Sequence, residues 1–268
     1  MTERVLALDF YTATEADPLR LARIAAANHC GLFTLHLAGG QTDELSQALV
    51  TDPAARKSFK AGCEILGVRL DMLEAMVVSP DTDLEAFRPA LAAAADLGAT
   101  QANSLFRADP DVDRGLARFG TLCDIAADYG LEVVIEVSRR QRARTPAEAA
   151  VMLREAGRKN ARMMVDALHL YRFDQTAADV AAVAKYVGRL QLCDGPAASP
   201  EDQLKEAMSF RLPPGEGAFP LTELLAATPP DVVVGLEVPM DGLRDAGVSA
   251  EERSARIFAA TRKLLAAA

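Results

Sequence analysis

Four stretches of sequence decide the fold: Leu131-Glu-Val-Val-Ile-Glu136, Met163-Met-Val-Asp166, Arg189-Leu-Gln191-Leu192 and Val232-Val-Val-Gly-Leu-Glu237. Each is a short aliphatic or β-branched run that reaches a side chain with an acceptor oxygen before loop-forming residues, which is typical of a buried parallel strand. An isolated acceptor at a strand end is usually capped or solvated. Four in succession, on strands of one barrel, are expected to converge on one point. Carboxylate and amide oxygens suit hard divalent cations such as Mg²⁺ or Mn²⁺.

Strand-like and helix-like patterns alternate along the whole chain without a break in composition. The predicted strands are 4–9, 31–37, 68–73, 100–105, 131–136, 161–166, 188–193 and 231–237. The predicted helices are 17–28, 53–66, 83–97, 112–129, 146–157, 176–186, 220–227 and 249–266. Such alternation predicts a parallel sheet, and the length favours closure into a single (β/α)8 TIM barrel of the α/β class over residues 1–268.

A doubly wound open sheet is the alternative architecture. No Gly-rich dinucleotide fingerprint follows the first predicted strand, so this alternative has less support. In a barrel, catalytic groups lie at the carboxyl ends of the strands, which is where the acceptor residues fall.

The bulk properties are those of a cytoplasmic enzyme domain. The chain has 268 residues and a net charge of −9, which argues against nonspecific nucleic-acid binding. We see no apolar run near the roughly 20 residues that span a bilayer, and no signal-peptide pattern at the amino terminus. The 4 cysteines have neither zinc-ligand spacing nor a disulfide framework, and reduced, mostly buried thiols are expected.

The sequence motifs around the strand ends are more specific than the bulk properties. Asp166-Ala-Leu-His169 places an imidazole three residues beyond the aspartate, Leu192-Cys-Asp-Gly-Pro196 follows Gln191, and Arg211-Leu-Pro-Pro-Gly-Glu-Gly217 precedes the seventh main helix. This combination resembles the xylose isomerase-like TIM-barrel superfamily, which contains ketose 3-epimerases, inosose dehydratases, 3-dehydroshikimate dehydratases and the family-two apurinic endonucleases. The resemblance covers most of the chain and is strongest over residues 131–240.

The resemblance implies that Glu136, Asp166, Gln191 and Glu237 bind one divalent metal ion. Ketose epimerases usually have histidine where this chain has Gln191, whereas glutamine resembles the dehydratase branches. A neutral amide oxygen shifts preference from zinc toward Mg²⁺ or Mn²⁺. The endonuclease branch needs several additional histidines, and this chain has only 3.

The remaining candidate site residues are histidines, arginines and one glutamate. His169 is a candidate acid, and His36, near the end of the second strand, is a candidate pocket residue. Arg211 is the best candidate for a substrate contact because its segment resembles the family loop that reaches the substrate; Glu216 is a second contact or its salt-bridge partner. Arg107 is placed similarly beyond the fourth strand. The arginines between Arg139 and Arg144 either bind an anion or form a solvated loop, and the solvated loop is favoured.

This arrangement supports proton abstraction next to a carbonyl group. A divalent ion stabilises an enediolate, while Glu136 and Glu237 flank a substrate carbon, one removing a proton and the other returning it. We therefore predict an isomerase or epimerase acting on a small hydroxy-carbonyl compound of the sugar type, with or without a negative charge. The alternative is a dehydratase that uses the same site, with His169 protonating the leaving hydroxyl.

Two further classes have less support: a non-catalytic binding protein of the same fold and a metal-dependent hydrolase. We expect neither a nucleic-acid partner nor a membrane, and a homo-oligomer is compatible with the sequence. The sequence leaves open the substrate, the choice between isomerase and dehydratase, the metal, the oligomeric state and the role of the Arg139–Arg144 cluster.

Overall fold

The computed structural model describes residues 4–39 and 43–267, in which eight parallel strands close into one barrel in chain order. The last strand pairs with the first, so the sheet has no free edge. The predicted single (β/α)8 barrel is confirmed. The strands are β1 Leu6–Leu8, β2 Leu32–His36, β3 Arg69–Val78, β4 Gln101–Phe106, β5 Glu132–Val137, β6 Ala161–Asp166, β7 Val187–Leu192 and β8 Val233–Leu236.

Helices surround the barrel, and the longer ones match the predicted ones closely. They are α1 Pro18–Ala27, α2 Glu44–Thr51, α3 Pro53–Leu66, α4 Arg88–Asp96, α5 Val112–Ala127, α6 Pro146–Ala156, α7 Ala167–Tyr171, α8 Ala177–Ala181, α9 Gln203–Ser209, α10 Leu221–Ala227, α11 Asp241–Asp245 and α12 Ala250–Ala267. Short helices that the sequence did not predict, α2, α7, α9 and α11, all lie in loops that leave the carboxyl ends of strands. They build up the face of the barrel on which the acceptor residues lie.

Strand β3 is longer than predicted. It was expected to end at residue 73 but continues to Val78, and its register against β4 shifts between Leu73 and Met76. A bulge of this kind allows a strand to bend with the barrel and continue. Glu74 therefore lies inside the strand, paired in register with His36 of β2.

The apolar core lies mainly between the strands and the helices. Phe33, Phe119 and Phe258 are each fully buried in the large cluster. Met72, Val134 and Met164 form a separate small cluster. Because side chains alternate along a strand, Glu136 and Asp166 share a face with Val134 and Met164, two residues earlier. That face is the barrel interior.

A fully buried ion cluster crosses the barrel interior. Arg189 of β7 donates from Nη2 to Asp9 Oδ1 at 2.8 Å and from Nη1 to Asp71 Oδ2 at 2.6 Å. Arg189 and Asp9 have no solvent exposure, and Asp71 has almost none. Burying a charge is costly unless it is paired and hydrogen-bonded, so these groups depend on one another.

All 4 cysteines are buried and free, as expected from their spacing. Across residues 4–39 and 43–267, no helix has the combined length and apolar character of a transmembrane span.

We predict that Arg189→Met lowers the free energy of unfolding by about 3–5 kcal/mol, because it leaves two buried carboxylates without their cation. Urea denaturation followed by circular dichroism measures this loss. Arg154→Met is the control: Arg154 is exposed on α6, and its replacement should change stability by less than about 0.5 kcal/mol. A loss below about 1 kcal/mol for Arg189→Met would contradict the assigned role.

Candidate active site at the carboxyl rim

The structure brings the predicted acceptor residues together at one rim of the barrel. In register, Gln191 pairs with Asp166 on one side and with Gly235, two residues before Glu237, on the other. Glu136 lies on β5, next to β6. Burial is the largest cause of the raised pKa of Glu136 and of Glu237, and the nearby charge of Asp166 raises both pKa values further.

Arg211 lies between two of these carboxylates. Its Nη1 is 2.8 Å from Asp166 Oδ2 and 2.8 Å from Glu237 Oε2. Its Nε donates to the carbonyl of Ala207 in α9 at 2.9 Å. The Arg211 side chain is only 5% exposed, and its contact with Asp166 is a charge-assisted hydrogen bond in a desolvated setting, whereas its contact with Glu237 Oε2 is an ion pair. Arg211 is thus a cation seated among the predicted metal ligands.

Asp166 has a second role at the start of α7. Its Oδ1 accepts hydrogen bonds from the backbone N–H of Leu168 at 2.7 Å and of His169 at 3.4 Å. This cap explains the Asp-x-x-His motif, because it turns the chain so that His169 returns to the rim. Burial raises the pKa of Asp166, but the positive charges of Arg211 and His169 outweigh it, and the net shift is downward.

Glu136 and His169 form a contact that faces the cavity. His169 Nε2 lies 3.4 Å from Glu136 Oε1, and the two side chains remain 17% and 14% exposed. Burial, followed by the charge of Asp166, raises the pKa of Glu136 to about 8, and burial lowers the pKa of His169. Each of the two groups can exchange a proton with the other and with a third group.

Gln191 is buried beneath the carboxylates. Its Nε2 donates to Asp9 Oδ2 at 3.1 Å, while its Oε1 is buried and has no hydrogen-bond partner among the described residues. Buried acceptors without a partner are rare in native proteins and call for an explanation such as a bound ion.

A cavity of about 790 Å³ opens above this rim. Glu136, His169, Arg211 and Glu237 line its floor, and apolar side chains line its walls: Val77, Leu105, Leu168, Leu204 and Met208. Its size and mixed lining fit a small polar molecule with an apolar side.

Besides Arg139, two arginines at the cavity, Arg107 and Arg140, have no carboxylate partner in the described part of the chain. Arg107 donates only to the carbonyl of Arg140, at 3.2 Å, and neither guanidinium forms a salt bridge among the described residues. By contrast, Arg172 in the same wall is paired with Glu206, with Nε and Oε2 2.8 Å apart. Arg107 and Arg140 therefore offer free positive charge above a floor rich in carboxyl groups.

Helix α9 covers one side of the mouth and is held by three arginines. Arg139 donates to Gln203 Oε1 at 2.9 Å, Arg172 pairs with Glu206, and Arg211 donates to Ala207. Within the predicted Arg139–Arg144 cluster, Arg139 and Arg140 thus line the cavity. Arg144 instead pairs with Glu148 at 3.0 Å on the surface, and Arg142 lines a groove between α5 and α6. Arg144 therefore lies as the solvated-loop interpretation predicted, whereas Arg139 and Arg140 lie at the cavity, where an anion would bind in the other interpretation.

Two predicted substrate contacts lie away from the cavity lining. His36 stacks on Phe10, with ring centroids 5.7 Å apart, and is not among the lining residues. Glu216 pairs with Arg256 of α12, with Nε and Oε1 3.3 Å apart, rather than with Arg211. The loop that carries Glu216 turns toward α12, so only its Arg211 end reaches the site.

Sequence reasoning missed Glu74 and Tyr11. Glu74 is buried on β3, where its carboxylate accepts hydrogen bonds from Thr34 Oγ1 at 3.2 Å and Asn103 Nδ2 at 3.0 Å. Tyr11, in a short helical turn after β1, lines the cavity. A signal for Glu74 was present, because it is an acceptor that directly follows the predicted third strand, 68–73.

The donor set fits a divalent cation chemically. Within the described residues, no three His, Cys, Asp or Glu side chains are arranged to hold a metal ion directly, because Arg211 separates Asp166 from Glu237. However, the unpartnered Oε1 of Gln191 and the raised pKa values of Glu136 and Glu237 indicate a shortage of positive charge around these oxygens. Such a shortage is what a divalent cation would relieve.

Comparisons with known proteins agree with this architecture. Residues 23–263 match the family described as xylose isomerase-like TIM barrel. The IolI protein with a bound zinc atom has 18% identity and a TM-score of 0.80, over 97% of this chain and 96% of that one. D-psicose 3-epimerase from Clostridium cellulolyticum H10, solved with D-tagatose, has 15% identity and a TM-score of 0.75, over 97% of each chain.

A third similar structure is the probable 3-DHS dehydratase AsbF of petrobactin synthesis from Bacillus anthracis. It has 11% identity and a TM-score of 0.78, over 96% of this chain and 98% of that one. At these identities the solved structures show a common fold. A search of curated proteins found no match.

We predict that Glu74 makes the metal-free protein less stable as pH rises. Burial, followed by the charge of Asp9, raises the pKa of Glu74 from 4.5 to about 7, so the folded state retains a proton that the unfolded state releases in this window. This stabilisation is present below pH 4.5 and is lost as pH rises through 7. Relative to Glu74→Gln, the wild type should lose about 3 kcal/mol across the window.

Urea denaturation in the presence of a chelator at several pH values measures this difference. Glu155→Gln, at an exposed position of α6, is the control and should follow the wild-type profile. If the free energy of unfolding depends on pH in the same way for the wild type and for Glu74→Gln, then Glu74 has the same pKa in the folded and unfolded states, and the prediction is wrong.

Proposed function

The chain belongs to the xylose isomerase-like TIM-barrel family, and on this premise we propose that it is a divalent-metal-dependent isomerase or epimerase. Its reaction would move a proton on a carbon next to a carbonyl group of a small polyhydroxylated substrate. The observation that carries this proposal is the convergence of Glu136, Asp166, Glu237 and the unpartnered Oε1 of Gln191 beneath one cavity. We place the enzyme in the cytoplasm, in keeping with its free, buried thiols.

Glu136, Asp166, Gln191 and Glu237 would hold the metal ion, with Mg²⁺ or Mn²⁺ favoured by this set of oxygen donors. When bound, the ion supplies Lewis-acid stabilisation of negative charge on the substrate oxygens. Arg211 and a metal ion would compete for the same place between the carboxylates of Asp166 and Glu237. Arg211 would therefore turn toward the cavity in the metal-loaded enzyme and contact the substrate there.

Glu136 and Glu237 would exchange protons with the substrate. Both line the cavity floor, on β5 and after β8, and so approach it from different sides. One would remove a proton from the carbon next to the carbonyl group, and the other would return one. His169, at 3.4 Å from Glu136, would carry the proton between Glu136 and a substrate hydroxyl.

We propose that the substrate is anionic. The guanidinium groups of Arg107 and Arg140, which have no carboxylate partner among the described residues, lie at the cavity above a floor rich in carboxyl groups. A carboxylate or phosphate on Arg107 and Arg140 would leave the hydroxy-carbonyl end of the substrate over Glu136 and Glu237. The apolar walls suit a compact carbon skeleton.

A dehydratase is the second candidate. The contact between Glu136 and His169 favours it, because it places a base for the carbon beside an acid for the leaving hydroxyl, as a syn elimination of water requires. Gln191 in place of histidine and the similar fold of AsbF are in keeping with this candidate.

The metal assignment predicts that Asp166→Ala abolishes Mn²⁺ binding. Removal of one carboxylate takes away a ligand and also leaves Arg211 free to pair fully with Glu237. Isothermal titration calorimetry on chelator-treated protein measures the affinity. Asp109→Ala is the matched control, because Asp109 is also buried and paired with an arginine, Arg114, but lies outside the cavity. Equal Mn²⁺ affinity in the wild type and Asp166→Ala would refute the ligand assignment.

The reaction assignment predicts solvent exchange. Turnover of hydroxy-carbonyl acids and ketoses in D₂O should place deuterium at the carbon next to the carbonyl group, detected by NMR and mass spectrometry. Glu136→Gln should keep the fold and stop exchange, because the amide cannot act as a base.

His169→Asn distinguishes the two candidate reactions. Loss of a general acid should slow a dehydratase by about 10²–10⁴-fold and an epimerase much less. Hydrolytic products without deuterium incorporation would assign the protein to a different class.

A further inference from the structure

The side-chain amide of Gln191 has a defined orientation at the end of β7. Its nitrogen faces Asp9, with Nε2 and Oδ2 3.1 Å apart, and its oxygen, Oε1, is buried and has no hydrogen-bond partner among the described residues. A metal ligand must present oxygen, and an amide turned by 180° would present N–H groups instead. Whatever fixes this orientation therefore decides whether Gln191 can bind a cation.

Asp9 is the group that touches the nitrogen end. Both oxygens of Asp9 accept hydrogen bonds: Oδ2 accepts from Gln191 Nε2, and Oδ1 accepts from Arg189 Nη2 at 2.8 Å. With Oδ1 held by the guanidinium, Oδ2 presents an acceptor to Gln191, and an acceptor pairs with the NH₂ group of the amide and not with its oxygen.

The backbone of β8 leaves room for this carboxylate only because residue 235 is glycine. A Cβ at Gly235 would lie 2.1 Å from Asp9 Oδ2, the oxygen that accepts from Gln191. Gly235 pairs in register with Ala7 of β1 and with Gln191 of β7. One contact thus depends on three neighbouring strands. Asp9, directly after β1, provides the acceptor, β7 provides the amide of Gln191, and Gly235 of β8 leaves the space that the carboxylate occupies.

We propose that Asp9 is a positioning residue that orients Gln191 as an oxygen donor toward the metal site. Arg189 holds Asp9 in place, and Gly235 gives it access to the amide. This inference rests on the proposed metal dependence. It adds a residue of β1 to a site otherwise built from β5 to β8.

Asp9→Asn tests the proposal against a matched control, Asp71→Asn. Both substitutions remove one carboxylate from the same buried Arg189, but only Asp9 contacts Gln191. In Asp9→Asn, the new amide oxygen pairs with Arg189, so its NH₂ group faces Gln191 and draws the Gln191 oxygen away from the site. We expect Mn²⁺ affinity to fall by about 10–100-fold in Asp9→Asn, as is usual for the partner of a ligand, and by less than about threefold in Asp71→Asn.

A double-mutant cycle with Gln191→Met separates positioning from a general structural effect. If Asp9 acts through Gln191, Asp9→Asn should cause no further loss of Mn²⁺ affinity in the Gln191→Met background. Equal losses in Asp9→Asn and Asp71→Asn, or an unchanged affinity in Asp9→Asn, would overturn the inference while leaving the metal site intact. Absence of Mn²⁺ binding by the wild type would overturn the proposed function and this inference together.

A measurement on the wild type needs no destabilising substitution. The ¹³Cδ resonance of Gln191, identified by its absence from Gln191→Met, should shift on addition of Mg²⁺, while its NH₂ protons keep the shifts of a carboxylate-bonded amide. A resonance unchanged by saturating Mg²⁺ would overturn the proposed orientation.

Discussion

Arg189 pairs with Asp9 and Asp71 in the middle of the barrel, and this buried contact joins β1, β3 and β7 across the interior. Apolar side chains alone could fill that space, but they could not support a polar rim above it. Because Arg189 fixes Asp9, and Asp9 holds the nitrogen of Gln191, the ion cluster extends upward into the candidate active site. The same interaction therefore contributes to the stability of the barrel and to the geometry of its mouth.

Above this cluster, carboxylates outnumber cations. Glu74, Glu136, Asp166 and Glu237 lie within reach of one another's charges, and Arg211 is the guanidinium placed directly between two of them. Burial is the largest cause of the raised pKa values of Glu74, Glu136 and Glu237, and a neighbouring carboxylate raises each of them further. Arg211 acts as an internal counter-ion that makes this arrangement tolerable in the metal-free protein.

The sequence predicted the barrel and the placement of Glu136, Asp166, Gln191 and Glu237, because each follows an apolar run whose end is easy to locate. It missed Glu74, which directly follows the predicted third strand, because the apolar run before it is interrupted by Asp71 and is a weaker signal. It could not pair Arg211 with Asp166, or Glu216 with Arg256, because loop conformation decides which charges meet. The role of Asp9 depends on the space left by Gly235 on a strand more than 200 residues away in the sequence.

Helix α9 depends on Arg211 as well as on Arg139 and Arg172. Its exposed Leu204 and Met208 line the cavity, and its carbonyl at Ala207 receives the Nε–H of the same guanidinium that contacts Asp166 and Glu237. Arg211 thus joins the carboxyl groups at the barrel floor to the helix that forms one side of the entrance. A substitution at this one position would therefore remove support from both ends of the cavity at the same time.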